Sequence, residues 1–232
     1  MTSKGFFITF EGIDGTGKST QIQMLDWALR TVGCQVFLTK EPGDRTAGSN
    51  IGAAIRELLF HNPTTLKMEP GVADLLLLAD HIQTSADCGR AKSEGKIVLA
   101  DRYADSKFAY AAAPKMRCPQ WAFDLYASNY GTVPDLTILL LARGPVDLET
   151  HVEDISWTLS RATARPGVEA GKQDGKAWGN DVGELRRIQD GYLLHTGTQE
   201  RTFIVDITED DDVWAVHARI MTEVRRRMSL ST

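Results

Sequence analysis

A glycine-rich segment directly behind an apolar run limits the possible folds of this chain more than any other feature. The segment EGIDGTGKST (11–20) follows the run FFITF (6–10). Gly12, Gly17, Lys18 and Ser19 fit the pattern G-x-x-x-x-G-K-[ST], with a strand expected before it and a helix after it. Glycines let successive backbone N–H groups point at phosphate oxygens, and the helix N-terminus adds its positive end. The segment therefore predicts a site for ATP or a close relative, with Lys18 on the outer phosphates and Ser19 on magnesium.

Four further apolar runs predict that the first strand belongs to a parallel sheet. They are continuous rather than alternating, which is typical of strands buried on both faces. They are QVFLTK (35–40), KIVLAD (96–101), DLTILLL (135–141) and TFIVDI (202–207). Segments with helical spacing separate them, and the first of these ends at Gly33, where a helix C-cap glycine would stand. We expect an α/β, three-layer P-loop NTPase fold with a five-stranded parallel sheet flanked by helices, in which 1–232 is a single domain.

Composition excludes several functional classes. The net charge is −5, with 26 basic and 31 acidic residues, so the chain has no general basic surface for nucleic acid. No apolar run reaches the roughly 18–20 residues of a membrane span. The three cysteines lack metal-binding spacing, and we expect free thiols in a reducing compartment. These features predict a cytoplasmic protein that binds a small polyanion and neither nucleic acid nor membrane.

A carboxylate and a cation follow the third expected strand. Asp101 ends KIVLAD at the edge of the sheet where ligands bind in open α/β folds, and Arg102 comes next. An aspartate in that position is suited to a magnesium-linked nucleotide, although aspartates also cap strand ends. An arginine beside it is able to hold a second phosphate bidentately.

The order of several motifs resembles the thymidylate kinase family. They are EGIDGTGKST (11–20), KEPG (40–43), IRELL (55–59), LLLLAD (75–80), DRYADSKFAY (101–110) and PDLTILLL (134–141). The likeness covers residues 5–141 well and is weak over 142–200. It implies transfer of the γ-phosphoryl group of ATP to deoxythymidine monophosphate (dTMP) with Mg²⁺, a mobile lid and a homodimer.

The resemblance also implies roles for individual residues of this sequence. ATP would be bound by the glycine-rich segment through Gly12, Gly15, Thr16, Gly17, Lys18, Ser19 and Thr20. Magnesium would lie near Ser19, Glu41 and Asp101. The acceptor nucleotide would meet Asp14, Glu41, Pro42, Arg45, Arg56, Leu77, His81, Arg102, Ser106, Lys107 and Tyr110. Such a site suits phosphoryl transfer, which depends on alignment and charge neutralisation more than on a strong base.

The lid is expected at about 161–181. Some thymidylate kinases carry an arginine at the position of Gly15, and those with glycine there resemble a second type that supplies arginines from the lid. Arg161 and Arg165, one helical turn apart, are the candidates, and a solvated basic face is the alternative. The glycine-rich stretch 166–181 that follows is interpreted either as a closing lid or as a disordered insertion. The family's acidic lid pattern is not clear here, and Asp174 and Glu184 are possible substitutes.

Four departures from the family pattern fall where the nucleobase is expected. His81 replaces an arginine, Leu77 a stacking phenylalanine, Lys107 an asparagine or glycine, and Ala111 a glutamine. Either His81 donates in place of the arginine and dTMP remains the acceptor, or the acceptor is another pyrimidine such as dUMP or a 5-modified dUMP. A lost hydrogen-bond partner would cost about 1–3 kcal/mol of acceptor binding.

Other functional classes fit the sequence less well. A regulatory GTPase would need an Asn-Lys-x-Asp motif, which the sequence lacks. A deoxynucleoside kinase has no acceptor phosphate for Arg102 to hold. A nucleotide-binding module with weak catalysis remains an alternative, because the family's acidic lid pattern is not clear in this sequence. For a homodimer, we expect the interface near residues 69–93 and 119–130.

Overall fold

A computed structural model describes residues 5–44, 47, 49–61, 68–69, 71–111, 120–129, 131–164 and 181–228 of the chain. The side chains of residues 50, 60 and 61 are excluded from these ranges. Of the three cysteines, Cys34 and Cys88 are free thiols, as expected, and Cys118 lies outside the described residues.

Five parallel strands form one sheet in the order β2-β3-β1-β4-β5. They are β1 (Phe6–Glu11), β2 (Val36–Lys40), β3 (Ile97–Asp101), β4 (Leu136–Ala142) and β5 (Thr202–Ile207). All seven residues of β4 are buried, as continuous apolar strands in a covered sheet should be. Since β1 lies between β3 and β4, the loops that follow these three strands emerge side by side at the carboxyl edge.

Eight helices connect and cover the strands within the described residues. They are α1 (Lys18–Thr31), α2 (Asn50–Arg56), α3 (Val72–Ser93), α4 (Ala104–Tyr110), α5 (Gln120–Ser128), α6 (Ser156–Thr163), α7 (Val182–His195) and α8 (Val213–Met228). A π-helical turn, Glu57–His61, continues α2. Within the described part of the chain, no helix is long and apolar enough to span a membrane.

The two ends of α1 follow from the sequence. Gly17 at its start has a φ of +90° and Gly33 just past its end has a φ of +85°, backbone conformations that glycine adopts without steric cost. Ile22, Leu25 and Leu29 face the core on the helix side that packs toward the sheet.

The strand order and the covering helices confirm the expected α/β architecture with a five-stranded parallel sheet.

Candidate active site

The glycine-rich segment forms a loop between β1 and α1 that closes around a lysine. Gly12, Gly15 and Gly17 have φ values of +132°, +86° and +90°, and such left-handed conformations cost other residues about 1–2 kcal/mol. Lys18 is only 4% exposed, and its Nζ donates to the Ile13 carbonyl at 2.7 Å. The loop, residues 12–17, is therefore a curved backbone cradle with a cation at its centre.

A hydroxyl and a carboxylate meet beside this loop. Pairing of β1 with β3 sets Phe10 opposite Asp101. Ser19, in the first turn of α1, donates its hydroxyl to Asp101 Oδ2 at 2.8 Å. The structure thus brings together two of the three residues that the sequence assigned to magnesium.

Arg102 reaches from the end of β3 to the glycine-rich loop. Its backbone has a φ of +69°, and its N–H donates to the Phe10 carbonyl at 3.0 Å. The guanidinium donates through Nη1 to the Gly12 carbonyl at 3.0 Å and through Nη2 to Asp14 Oδ1 at 2.6 Å. It lies 5.2 Å from the centre of the Tyr110 ring. A predicted phosphate-binding cation therefore lies against the predicted nucleotide loop.

Tyr192, which sequence reasoning missed, completes the surroundings of Arg102. Nη1 of Arg102 donates to the Tyr192 hydroxyl at 2.8 Å, and Ser106 Oγ lies 2.7 Å from the same hydroxyl. Burial works to lower the pKa of Arg102, but Tyr110, Tyr192 and Asp14 outweigh it and raise that pKa well above its usual value. The guanidinium is charged throughout the physiological pH range.

Glu11 is the second residue that sequence reasoning missed. It is fully buried, and it accepts from the Ser106 hydroxyl at 2.6 Å and from the Tyr103 N–H at 2.8 Å. Burial and the nearby Asp105 charge raise the pKa of Glu11 to about 8. An acidic residue at the end of an apolar strand was a signal for Glu11. Tyr192 carried no signal, because its helical spacing indicates only a core position.

The KEPG turn places Glu41 against His81. His81 Nδ1 lies 2.9 Å from Glu41 Oε1, and the imidazole is fully buried. The ring stacks on Tyr126 and tilts against Tyr103, with centres 4.8 Å apart in each pair. The sequence assigned Glu41 to magnesium and His81 to the nucleobase, and the structure places the two side chains in contact with each other.

Arg56 and Asp80 fix the rest of that turn. Arg56 donates to the Pro42 carbonyl at 2.8 Å and to the Gly43 carbonyl at 3.1 Å. Asp80 accepts from the Gly43 N–H at 3.3 Å. Burial and the charge of Glu41 raise the pKa of Asp80 to about 6, and burial lowers the pKa of Arg56.

The remaining acceptor-side candidates lie on α3 and α4. Lys107 is buried and forms an ion pair with Asp74. Leu77 is half-buried on α3, and Ala111 directly follows α4. Burial raises the pKa of the Tyr110 hydroxyl, which therefore stays protonated at neutral pH.

A cavity of about 290 Å³ lies beside the glycine-rich loop, between that loop, α6 and the start of α8. Its lining includes Gly15, Thr16, Gly17, Thr20, Arg161, Asp211 and Val213. Arg161 donates to the Glu209 carbonyl at 2.5 Å, and its guanidinium lies 4.7 Å from the centre of the Trp157 ring. One predicted lid arginine thus lines the cavity that adjoins the phosphate cradle.

Helix α6 rests directly on Gly15. A Cβ at this position would lie 2.0 Å from the Thr158 carbonyl oxygen. Neither alanine nor arginine fits at position 15 unless the loop and α6 separate. This close approach leaves no room for an arginine at position 15 of the loop. That the compensating arginines come from the lid stays a prediction, and the candidate Arg161 lies on the helix that blocks position 15.

Several predicted site residues fall elsewhere in the chain. Arg45, Arg165 and Asp174 lie outside the described residues, as does most of the expected lid. Glu184 lies in the first turn of α7, where it is buried and its N–H donates to the N-cap residue Asp181.

Comparisons with known proteins agree on one family. The thymidylate kinase family model matches residues 10–153. A thymidylate kinase from Caulobacter vibrioides is 36% identical over 98% of this chain and 100% of its own length. One from Ruegeria pomeroyi is 35% identical over 91% of this chain and 92% of its own length.

A solved structure supports the same fold. A thymidylate kinase from Ehrlichia chaffeensis superposes with a TM-score of 0.64 at 22% identity, covering 95% of this chain and 98% of that one.

Proposed function

The chain belongs to the thymidylate kinase family, and on this premise we propose that it transfers the γ-phosphoryl group of ATP to dTMP by in-line displacement with Mg²⁺. The observation that carries the proposal is Arg102, a charged guanidinium bonded to Gly12 and Asp14 of the glycine-rich loop. Two phosphate-binding elements in contact are what a kinase with a phosphorylated acceptor requires.

ATP binds to the glycine-rich loop in this proposal. The loop has the backbone conformation of a phosphate cradle, with glycine wherever φ is positive, and Lys18 lies inside it. Thr16 and Thr20 extend the lining into the adjoining cavity. That cavity is the place for the nucleoside part of ATP.

Ser19 and Asp101 would hold Mg²⁺. Their oxygen atoms lie 2.8 Å apart at the mouth of the cradle, and oxygen donors of this kind fit a hard divalent cation. When bound there, the ion would neutralise charge on the phosphates. Glu41 would act through its contact with His81 rather than as a direct ligand, because its carboxylate faces the imidazole.

Arg102 holds the acceptor phosphate, and Asp14 and Tyr110 bind its sugar. The short ion pair between Arg102 and Asp14 orients both side chains before the acceptor arrives. Arg56, bonded to the carbonyls of Pro42 and Gly43, provides a second cation on the acceptor side, with Arg45 as a further candidate.

Arg161 and Arg165 act with the lid, which we assign to about 161–181. Arg161 lines the cavity beside Gly15 and is the described member of this pair. During transfer it would neutralise charge on the ATP phosphates while closure excludes water. Asp174 and Glu184 would be the acidic residues of the lid.

The acceptor base is the part of the site with a second candidate. His81 and Lys107 both face carboxylates of the protein, Glu41 and Asp74 respectively. Two of the four residues that depart from the family pattern are therefore already bonded to protein partners. This observation favours dUMP or a 5-modified dUMP as the alternative acceptor.

The test is ADP release from ATP and Mg²⁺ with dTMP, dUMP, 5-hydroxymethyl-dUMP, dCMP, dGMP or thymidine as acceptor. Lys18→Ala is the blank. Highest turnover with dTMP supports the main proposal, and highest turnover with another pyrimidine monophosphate supports the second. ADP release that no acceptor stimulates would reject both and leave a nucleotide-binding module.

A His81→Arg variant tests the base pocket separately. If the protein uses dTMP with His81 in place of the family arginine, the variant turns over dTMP more slowly because it loses the imidazole that serves the base. If the acceptor base has changed, the variant gains activity on dTMP.

We also propose a homodimer that acts in the cytoplasm, with no nucleic-acid or membrane partner. Val72, Leu75 and Ile82 form an exposed apolar stripe on α3, and Trp121 and Leu125 are exposed on the adjacent α5. Burial of this stripe against a second copy would remove it from water. Sedimentation velocity tests the proposal, since Ile82→Glu should convert a dimer to a monomer.

A further inference from the structure

The Tyr192 hydroxyl lies at the Nη1 end of the Arg102 guanidinium. Nη1 of Arg102 donates to Tyr192 at 2.8 Å, to the Gly12 carbonyl at 3.0 Å and to Ser106 Oγ at 3.3 Å. Nη1 carries two hydrogens, so three acceptors saturate it. Nη2 already donates one hydrogen to Asp14 Oδ1 at 2.6 Å. An oxyanion that binds Arg102 must therefore approach through Nε and the second hydrogen of Nη2.

We propose that Tyr192 is a positioning residue for the acceptor phosphate: its hydroxyl holds Nη1 of Arg102 so that the opposite edge of the guanidinium faces the oxyanion. The inference rests on the proposed function, in which Arg102 binds that phosphate. Tyr192 itself touches Arg102 and Ser106 and acts through the arginine.

The backbone of Arg102 explains why such a hold is needed. A φ of +69° is unfavourable for arginine, and the side chain begins from a strained residue. A guanidinium on a flexible stem loses phosphate affinity if it samples several orientations. Three fixed acceptors at Nη1 reduce those orientations before the phosphate binds.

A buried anchor fixes the position of Tyr192 in turn. The Tyr192 ring is fully buried on α7, which packs along α4. At the end of α7, His195 stacks on Phe108 with ring centres 4.1 Å apart. Arg201 and the buried Asp105 form a two-bond ion pair beside this contact. The hydroxyl is thus held from the protein interior rather than from a surface loop.

The hydrogen bonds continue from Tyr192 to a second buried group. The Tyr192 hydroxyl lies 2.7 Å from Ser106 Oγ, which donates to Glu11 Oε2 at 2.6 Å. Ser106 therefore shares the task of Tyr192, and removal of either hydroxyl breaks the same chain. This shared role predicts that the two substitutions are not additive.

The experiment separates phosphate binding from nucleoside binding. Isothermal titration calorimetry measures the affinities of dTMP and thymidine for the unmodified protein, for Tyr192→Phe and for Tyr103→Phe. Tyr103 is the matched control because it is also a buried tyrosine, and its hydroxyl bonds to Ser85 instead of Arg102. A change in the nucleoside pocket alters both affinities together, and their ratio stays the same.

We expect Tyr192→Phe to weaken dTMP binding by about ten-fold and thymidine binding by less than about two-fold, since a hydrogen bond to a charged group is lost. Tyr103→Phe should leave the dTMP-to-thymidine ratio unchanged. Steady-state kinetics of Tyr192→Phe should show a higher KM for dTMP. If the panel of acceptors selects dUMP, the pair dUMP and deoxyuridine replaces dTMP and thymidine.

Three results would overturn the positioning role of Tyr192 or its premise. An unchanged ratio in Tyr192→Phe, with dTMP still bound tightly by the unmodified protein, rejects the role of Tyr192 and leaves the proposed function intact. An unmodified protein that binds dTMP no more tightly than thymidine rejects the acceptor-phosphate role of Arg102 and the inference with it. Strict additivity of Ser106→Ala and Tyr192→Phe in the dTMP affinity rejects the shared chain and hence the positioning role.

Discussion

Substitution of Gly15 by alanine tests the contact between the glycine-rich loop and α6. The new Cβ would lie 2.0 Å from the Thr158 carbonyl oxygen, 2.7 Å from its carbon and 2.8 Å from Thr158 Cα. All three atoms belong to the backbone, so no side-chain rotation relieves the overlap. The loop and α6 must move apart by about 1.5 Å before an ordinary van der Waals contact is reached.

The magnitude follows from two separate costs. A positive φ costs alanine about 1–2 kcal/mol relative to glycine. Forcing an extra methyl group into a packed contact adds about 1–3 kcal/mol. Gly33→Ala is the matched control, because Gly33 has nearly the same φ, +85° against +86°, and nothing lies within 4 Å of its added Cβ. We expect Gly15→Ala to cost about 2–5 kcal/mol of unfolding free energy and Gly33→Ala about 1–2 kcal/mol.

Urea denaturation followed by tryptophan fluorescence measures both values. Trp157 belongs to α6 and is buried, so its emission also reports displacement of that helix in the folded variant. Equal costs for the two variants, with an unchanged folded emission spectrum, would refute the close packing of α6 on the loop.

Three further predictions concern the buried charges and the metal pair. The unfolding free energy should fall as pH rises from about 4.5 to about 8, because folded Glu11 keeps its proton while unfolded Glu11 has lost it. Urea titrations at several pH values should show that Glu11→Gln flattens this decline. An equally steep decline in the variant would contradict the raised pKa of Glu11. Ser19→Ala should lower turnover by at least about ten-fold and raise the Mg²⁺ concentration needed for half-maximal rate, whereas an unchanged Mg²⁺ dependence would remove Ser19 from the metal site. Asp105→Asn should cost about 3–5 kcal/mol of unfolding free energy because it removes the carboxylate charge from the buried ion pair with Arg201. The control Asp26→Asn, which breaks an exposed pair with Arg30, should cost less than about 1 kcal/mol. Similar costs for the two variants in the same denaturation assay would show that burial of the ion pair does not matter.

The sequence predicted the sheet well because each strand carries its own signal. The expected runs at 6–11, 35–40, 96–101, 135–141 and 202–207 differ from the observed strands by one residue at most at either end. Strands buried on both faces need apolar residues at every position, and this requirement is local. The order β2-β3-β1-β4-β5 has no such local signal, since the pairing of strands depends on contacts distant in sequence.

The candidate site was predictable only in part for the same reason. The glycine-rich loop, Asp101 and Arg102 are short motifs whose spacing implies their chemistry. Tyr192 lies 90 residues from Arg102, and only the packing of α7 on α4 brings the two side chains together. The contact of Glu41 with His81 likewise depends on how α3 crosses the KEPG turn.

The left-handed backbone at Arg102 would also leave a mark in a selection experiment. Glycine, or to a lesser degree asparagine, is the residue that this φ of +69° favours. A library randomised at this codon and sorted only for resistance to proteolysis should therefore be enriched in glycine and asparagine. The same library, sorted by growth that depends on the enzyme, should return arginine. The difference between the two outcomes would reveal position 102 as one where folding and chemistry demand different residues.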